Sequence, residues 1–172
     1  VTEATSNLIY SGQSGAINES FSDIWGEFID LTNGVGNDGA SVRWLMGEDL
    51  PIGAIRDMAN PPAMGDPDST CSPNWLDSGF DSGGVHINSG VGNKLCFLLT
   101  DGGSFRGHTV SGMGISLVAD LFYECQASLL TEAADYMDLY NALTQAAINL
   151  GLSTAQRHNI VEACKAVAIT PE

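Results

Sequence analysis

The chain has 172 residues, 44% hydrophobic and only 16% charged, a balance that suits one folded domain with a core and excludes a disordered chain. Six Lys and Arg against 21 Asp and Glu give a net charge of −15, which repels polyanions, so neither nucleic acid nor an anionic membrane is an expected partner. No apolar run reaches the roughly 18 residues of a membrane span, and no basic segment followed by an apolar one opens the chain as a signal peptide would.

Val1 to Tyr10 starts without a capping residue or proline, and VTEATSNLIY reads as the tail of a helix begun earlier. The first full helix is predicted over Ile17 to Leu31. There Ile17, Phe21, Ile24, Phe28 and Leu31 recur at the four-three spacing of one buried face, which Trp25 and Ile29 widen. Thr32 to Val42 (TNGVGNDGASV) is a loop by its Gly, Asn and Asp content. Trp44 to Cys71 is irregular and rich in Pro and Gly, with one short helical turn expected at Ile55 to Met58, and CSPNWLDSGFDSGG continues as loop. Some forty residues without regular structure mark a functional or ligand-stabilised surface. VHINSGVGNKLCFLLT reads as one helix stopped at Gly102 and Gly103. ISLVADLFYECQ is the next, with Leu117, Val118, Leu121, Phe122 and Cys125 on one face. AADYMDLYNALTQAAINLG is a third, and Ser153 to Gln156 is a capping box opening the last, with Val161, Cys164 and Val167 inward. Strand signals are weak. The expected fold is mainly α, a bundle of about five to six helices with one long irregular segment, in a single domain over residues 1–172.

Cysteines at 71, 96, 125 and 164 lack the spacing of a zinc knuckle. An even count at wide gaps suits two disulfides and an oxidising compartment, with three pairings open. Cys125 and Cys164 lie on apolar faces of helices that should pack together, which leaves Cys71 with Cys96. The expected bridges are therefore Cys71–Cys96 and Cys125–Cys164.

The first helix poses a chemical question. Glu19, Asp23, Glu27 and Asp30 cluster on one side of it, and no Lys, Arg or His occurs between Val1 and Val42. Solvated helix faces mix signs, because like charges one turn apart repel. Acids without basic partners are relieved by a cation. Glu19 and Asp30 stand roughly 16 Å apart along a helix rising about 1.5 Å per residue, so two metal sites are expected, one at each end. A glycosidase using Glu19 and Asp23 is set aside, since acids one turn apart on one face do not flank a substrate from opposite sides.

NLIYSGQSGAINESFSDIWGE resembles the segment after the zinc-binding helix of thermolysin-like neutral metalloproteases, the vibriolysin and pseudolysin branch included. GVHINSGVGNK resembles their catalytic-histidine segment, GAIRDM the arginine segment between, and QRHNIVEACKAVAI the closing helix, so the resemblance spans essentially the whole chain. That family binds zinc through the two histidines of HExxH and one downstream glutamate. This chain has only His86, His108 and His158 and no HExxH, so the resemblance implies the C-terminal half of the catalytic unit of a secreted zinc endopeptidase. The half with HExxH and the general-base glutamate is absent and would be a partner, beside peptide or protein substrate.

Carried over, Glu19 is the third zinc ligand, and Asp23 holds a zinc-binding histidine by its second ring nitrogen. His86 and Tyr10 donate to the oxyanion formed as metal-activated water attacks the peptide carbonyl, and Asp81 orients His86. Arg56 grips a substrate carbonyl, with Ile55 and Met46 lining an apolar pocket for the residue after the scissile bond. Glu27, Asp30, the Leu45 carbonyl and Glu48 correspond to calcium ligands. Arg43 stands where the family has an aspartate and Leu45 excludes a further acid, so one calcium site is implied and not two. With one zinc carboxylate of its own, the isolated chain is expected to be inactive. The other reading is a non-catalytic helical module that binds calcium or a partner.

Overall fold

The computed structural model describes residues 1–171; Glu172, the last residue of the expected domain, lies outside the described residues. Six α-helices carry the fold: α1 (Gly12–Asn33), α2 (Asp81–Asn88), α3 (Gly90–Thr100), α4 (Ile115–Glu124), α5 (Tyr136–Asn149) and α6 (Thr154–Ala166). Two small antiparallel hairpins accompany them, β1 (Leu45–Met46) with β2 (Arg56–Asp57) and β3 (Gly102–Phe105) with β4 (His108–Ser111).

α1 is amphipathic as its spacing requires. Ile17, Phe21, Ile24 and Phe28 are buried, each contributing about 1.5–3 kcal/mol by transfer from water. Ile29, expected to widen that face, is instead 65% exposed. The apolar face meets α3, whose Val91, Leu95, Leu98 and Leu99 are all buried at the centre of the core. Gly92 lets the two helices close up: a Cβ there would collide with Ser20 of α1. α5 and α6 open with capping boxes, at Asp135 with Asp138 and at Ser153 with Gln156, the second as the sequence predicts. In α6 Cys164 and Val167 are buried and Val161 half-buried.

The structure departs from the sequence reading in five places. The opening residues form only a 3-10 turn over Thr2–Ala4. The helical turn expected at Ile55 to Met58 is strand β2, paired to β1 in the register Met46 with Arg56; the short helix comes later, at Pro61–Met64, where proline starts a 3-10 turn. The helix predicted through VHINSGVGNKLCFLLT is two, joined at Ser89. Gly102 and Gly103 do not merely stop α3 but begin the β3–β4 hairpin. The last turn of the predicted ISLVADLFYECQ helix is a π turn over Cys125–Leu129 that turns Gln126 inward, where it accepts from Trp25 Nε1 at 2.8 Å.

Neither expected disulfide forms; all four cysteines are free. The loop with Cys71 is tied to the C-terminal end by Thr70, which donates to Ala168 O at 2.6 Å and Val167 O at 3.1 Å. Cys96 is buried in α3 with its sulfur 3.9 Å from Thr100 Oγ1. Cys125 and Cys164 are both buried and close enough to influence one another, but unbonded.

Candidate functional site

Residues from two distant segments meet at the start of α1. Tyr10 lies just before the N-cap Ser11, and Ser14 locks this entry by donating to Ile9 O at 2.7 Å and Ser11 O at 2.9 Å. The Tyr10 hydroxyl donates to Glu19 Oε1 at 2.6 Å and lies 2.9 Å from His86 Nε2. His86 Nε2 is itself 3.5 Å from Glu19 Oε2. Asp81 holds the histidine from behind, with Oδ1 2.6 Å from Nδ1 and Oδ2 accepting the His86 backbone N–H at 2.8 Å. Tyr10, Glu19, His86 and Asp81, named from sequence, thus form one constellation.

An unusual backbone makes this possible. Asp81, Ser82, Gly83 and Gly84 all have positive φ, between 53° and 88°, so α2 opens with a left-handed turn before its right-handed one. L-residues resist that region by about 1–2 kcal/mol each. Gly83 and Gly84 escape that cost and also allow close approach, since a Cβ would stand 2.9 Å from Gly12 N or 2.8 Å from Asn88 Nδ2. The turn folds Asp81 back over His86.

The protons can be followed. With Nδ1–H assigned toward Asp81, the single Tyr10 proton must choose between Glu19 and Nε2. Burial, reinforced by the Glu19 hydrogen bond, pushes the Tyr10 hydroxyl up to about 12. Desolvation raises Asp81, but its His86 hydrogen bonds outweigh this and hold it below the ordinary carboxylate range. The group therefore presents a neutral phenol and an oriented imidazole on the open side of Glu19.

One turn along α1, Asp23 is 4% exposed. Its Oδ2 accepts from Asn93 Nδ2 at 2.7 Å, while Oδ1 has Arg56 at 3.4 Å. Desolvation pushes Asp23 upward against the pull of Arg56 and Asn93. Arg56 also reaches His86 O at 3.4 Å, so the β1–β2 hairpin is stitched to both acid and histidine. On that hairpin Ile55 is 53% exposed and Met46 half-buried.

The far end of α1 gathers acids. Oxygens of Asp30, Asp38 and Glu48 lie within 4.8 Å of one another. Glu27, 4% exposed, is pushed up to about 8 by burial and by Glu48 and Asp30 nearby. Asp38 Oδ1 is buried without a hydrogen-bond partner. Either side of Leu45, the Trp44 and Met46 carbonyls accept from the Met58 and Ile55 N–H groups, each at 2.9 Å. Arg43 turns away and grips Asp101, at 2.8 Å from Nε, joined there by Trp44 Nε1 at 2.7 Å.

This donor set suits a hard, oxygen-seeking cation at the far end: several carboxylates, one of them buried and one with an orphaned oxygen. At the near end Glu19 offers one carboxylate, which fits one position of a zinc site that needs imidazole partners from elsewhere. Sequence reasoning missed Asp38, Asn93 and Asp66, the last pushed by burial to about 6 beside Arg56 and Asp23. The run GNDGAS marks Asp38 only as a loop acid. Asn93 follows Gly92 within the quoted GVHINSGVGNK block, and that small-then-polar step was its available signal.

Residues 6–169 match the family described as thermolysin metallopeptidase, alpha-helical domain. A zinc metalloproteinase of Renibacterium salmoninarum is 45% identical over 181 residues, covering 98% of this chain and 33% of the relative. A bacillolysin of Brevibacillus brevis is 37% identical over 175 residues (98% and 31%), and a thermolysin of Alicyclobacillus acidocaldarius 37% over 167 residues (94% and 29%). The solved precursor of protealysin from Serratia proteamaculans shares the fold, with TM-score 0.75 at 23% identity over 99% of this chain and 54% of that one. The chain thus spans about a third of the length of these sequence relatives.

Proposed function

The chain belongs to the thermolysin metallopeptidase family, whose α-helical domain it forms, and on that premise we propose that it is the C-terminal half of the catalytic unit of a secreted zinc endopeptidase. The observation that carries the reading is the Tyr10–Glu19–His86–Asp81 constellation, assembled from segments up to 76 residues apart. Glu19 would hold zinc together with two histidines of an HExxH half. When bound, zinc supplies an activated water and a polarised carbonyl. The chain's own residues do the rest. His86 and Tyr10 donate toward the oxygen that becomes negative, Asp81 keeps His86 in its tautomer, and Asp23 orients a zinc-binding histidine. Arg56 binds a substrate carbonyl, and Ile55 with Met46 faces an apolar side chain after the scissile bond.

Calcium is the proposed occupant of the far site, held by Glu27, Asp30, Glu48 and the Leu45 carbonyl, with Asp38 added by the structure. Ile9 and Phe80, exposed apolar side chains next in sequence to Tyr10 and Asp81, would face the HExxH half. No described helix is long and apolar enough to cross a membrane.

Two measurements test the reading. In the intact protein encoded with this chain, Glu19→Gln should release zinc and abolish peptide cleavage. The chain alone, supplied with zinc and calcium, should leave casein uncut; turnover by the pure chain would overturn its role as half of a site. A non-catalytic cation-binding module is the second reading. It is favoured by the buried Glu27 and predicts no HExxH in the coding sequence upstream of Val1.

A further inference from the structure

Resting on the zinc reading, we propose that Asn93 is a positioning residue for that centre: it fixes one oxygen of Asp23 so that the other remains available to the ring N–H of a zinc-binding histidine. Asp23 makes one short bond, the 2.7 Å contact from Asn93 Nδ2 to Oδ2, and its Oδ1 has only the 3.4 Å contact from Arg56. A carboxylate so held cannot spin about its last torsion, and its unfilled acceptor direction lies on Oδ1. The contact crosses between helices, from the middle of α3 to the middle of α1. The Gly92–Ser20 approach brings Asn93 within reach.

Asn93 is a poor choice for packing alone. It is 1% exposed among the apolar residues of α3, and its Oδ1 has no partner. An orphaned buried carbonyl costs stability that an apolar side chain of equal volume avoids. Turning the amide over would set oxygen against oxygen at Asp23, so the side chain has one workable orientation. The N–H it offers also opposes the upward push of burial on Asp23 and favours the ionised form that accepts a histidine N–H.

The test uses the intact protein with its HExxH half, measuring the zinc dissociation constant by competition with a chromophoric chelator. Asn93→Leu should weaken zinc about tenfold, the lower end for groups supporting a metal ligand, while KM for a peptide substrate stays within twofold. In an Asp23→Ala background it should change zinc affinity no further. Asn93→Ser, too short to reach Asp23, serves in its place if the leucine variant does not fold. Unchanged zinc affinity, or an equal loss with and without Asp23, overturns the proposal. Glu19→Gln runs alongside. If it releases zinc and Asn93→Leu does not, only the role of Asn93 fails; if zinc stays bound without Glu19, the zinc reading fails and the inference with it.

Discussion

Replacing Glu27 with glutamine should stabilise the domain when no cation is present and weaken its response to calcium. Glu27 is 4% exposed and stands near 8 in the folded chain, against an ordinary 4.5. A carboxyl raised by folding contributes stability that is complete below the unfolded value and lost as pH climbs through the folded one. The window is therefore about pH 4.5 to 8. At pH 7 the loss amounts to about 3.5 kcal/mol, from about 2.5 units at about 1.4 kcal/mol each. Glutamine keeps the shape and never ionises, so the variant should lose less stability across this window, where the buried Asp66 still titrates near 6. In a chelator at pH 7 it should melt roughly 7–14 °C above the unsubstituted chain. Calcium narrows the difference. At a hundred times its dissociation constant it adds about 2.7 kcal/mol to a protein that binds it, and the variant should gain less. Thermal unfolding by circular dichroism at pH 5 and 7, with chelator or with calcium, reads all four cells. A variant that melts lower in chelator at pH 7, or an equal calcium shift in both proteins, would refute the reasoning.

Tyr10→Phe in the intact protease should lower kcat about a hundredfold with KM nearly unchanged, since the hydroxyl acts on developing charge; steady-state kinetics on a short peptide decide it. Ser82→Gly should raise stability by about 0.5–1 kcal/mol, because Ser82 is exposed with φ 53°; urea denaturation measures it. Gly90→Ala should destabilise by about 1–3 kcal/mol, its Cβ landing 2.5 Å from Pro67 O and 2.9 Å from Asp66 Cβ.

What could be read in the sequence and what could not divide along physical lines. The buried face of α1 follows from its period, because burial there depends on residues three and four apart. Tyr10, Glu19, Asp81 and His86 are named from a resemblance, and the structure brings them within hydrogen-bond distance of one another. The hairpins escaped notice because two to four residues, half of them glycine in β3, cannot establish an alternation. The left-handed turn at Asp81 escaped because DSGG looks like any loop; only packing against Gly12 makes four positive φ angles worthwhile. Asp38 and Asn93 lie across the fold from their partners, Asp38 near Glu48 and Asn93 at Asp23, and the local sequence names neither partner. The acids of α1 looked like a polar face, yet Asp23 and Glu27 are as buried as much of the core.

The unbridged cysteines give the molecule a built-in reporter. Cys71 is exposed, whereas Cys96, Cys125 and Cys164 are buried and their thiols raised by burial. A thiol-reactive dye at neutral pH should attach one label to the folded chain and reach all four only after it opens. The mass spectrum of a timed labelling reaction then counts openings directly, and the first label lands at Cys71 without engineering.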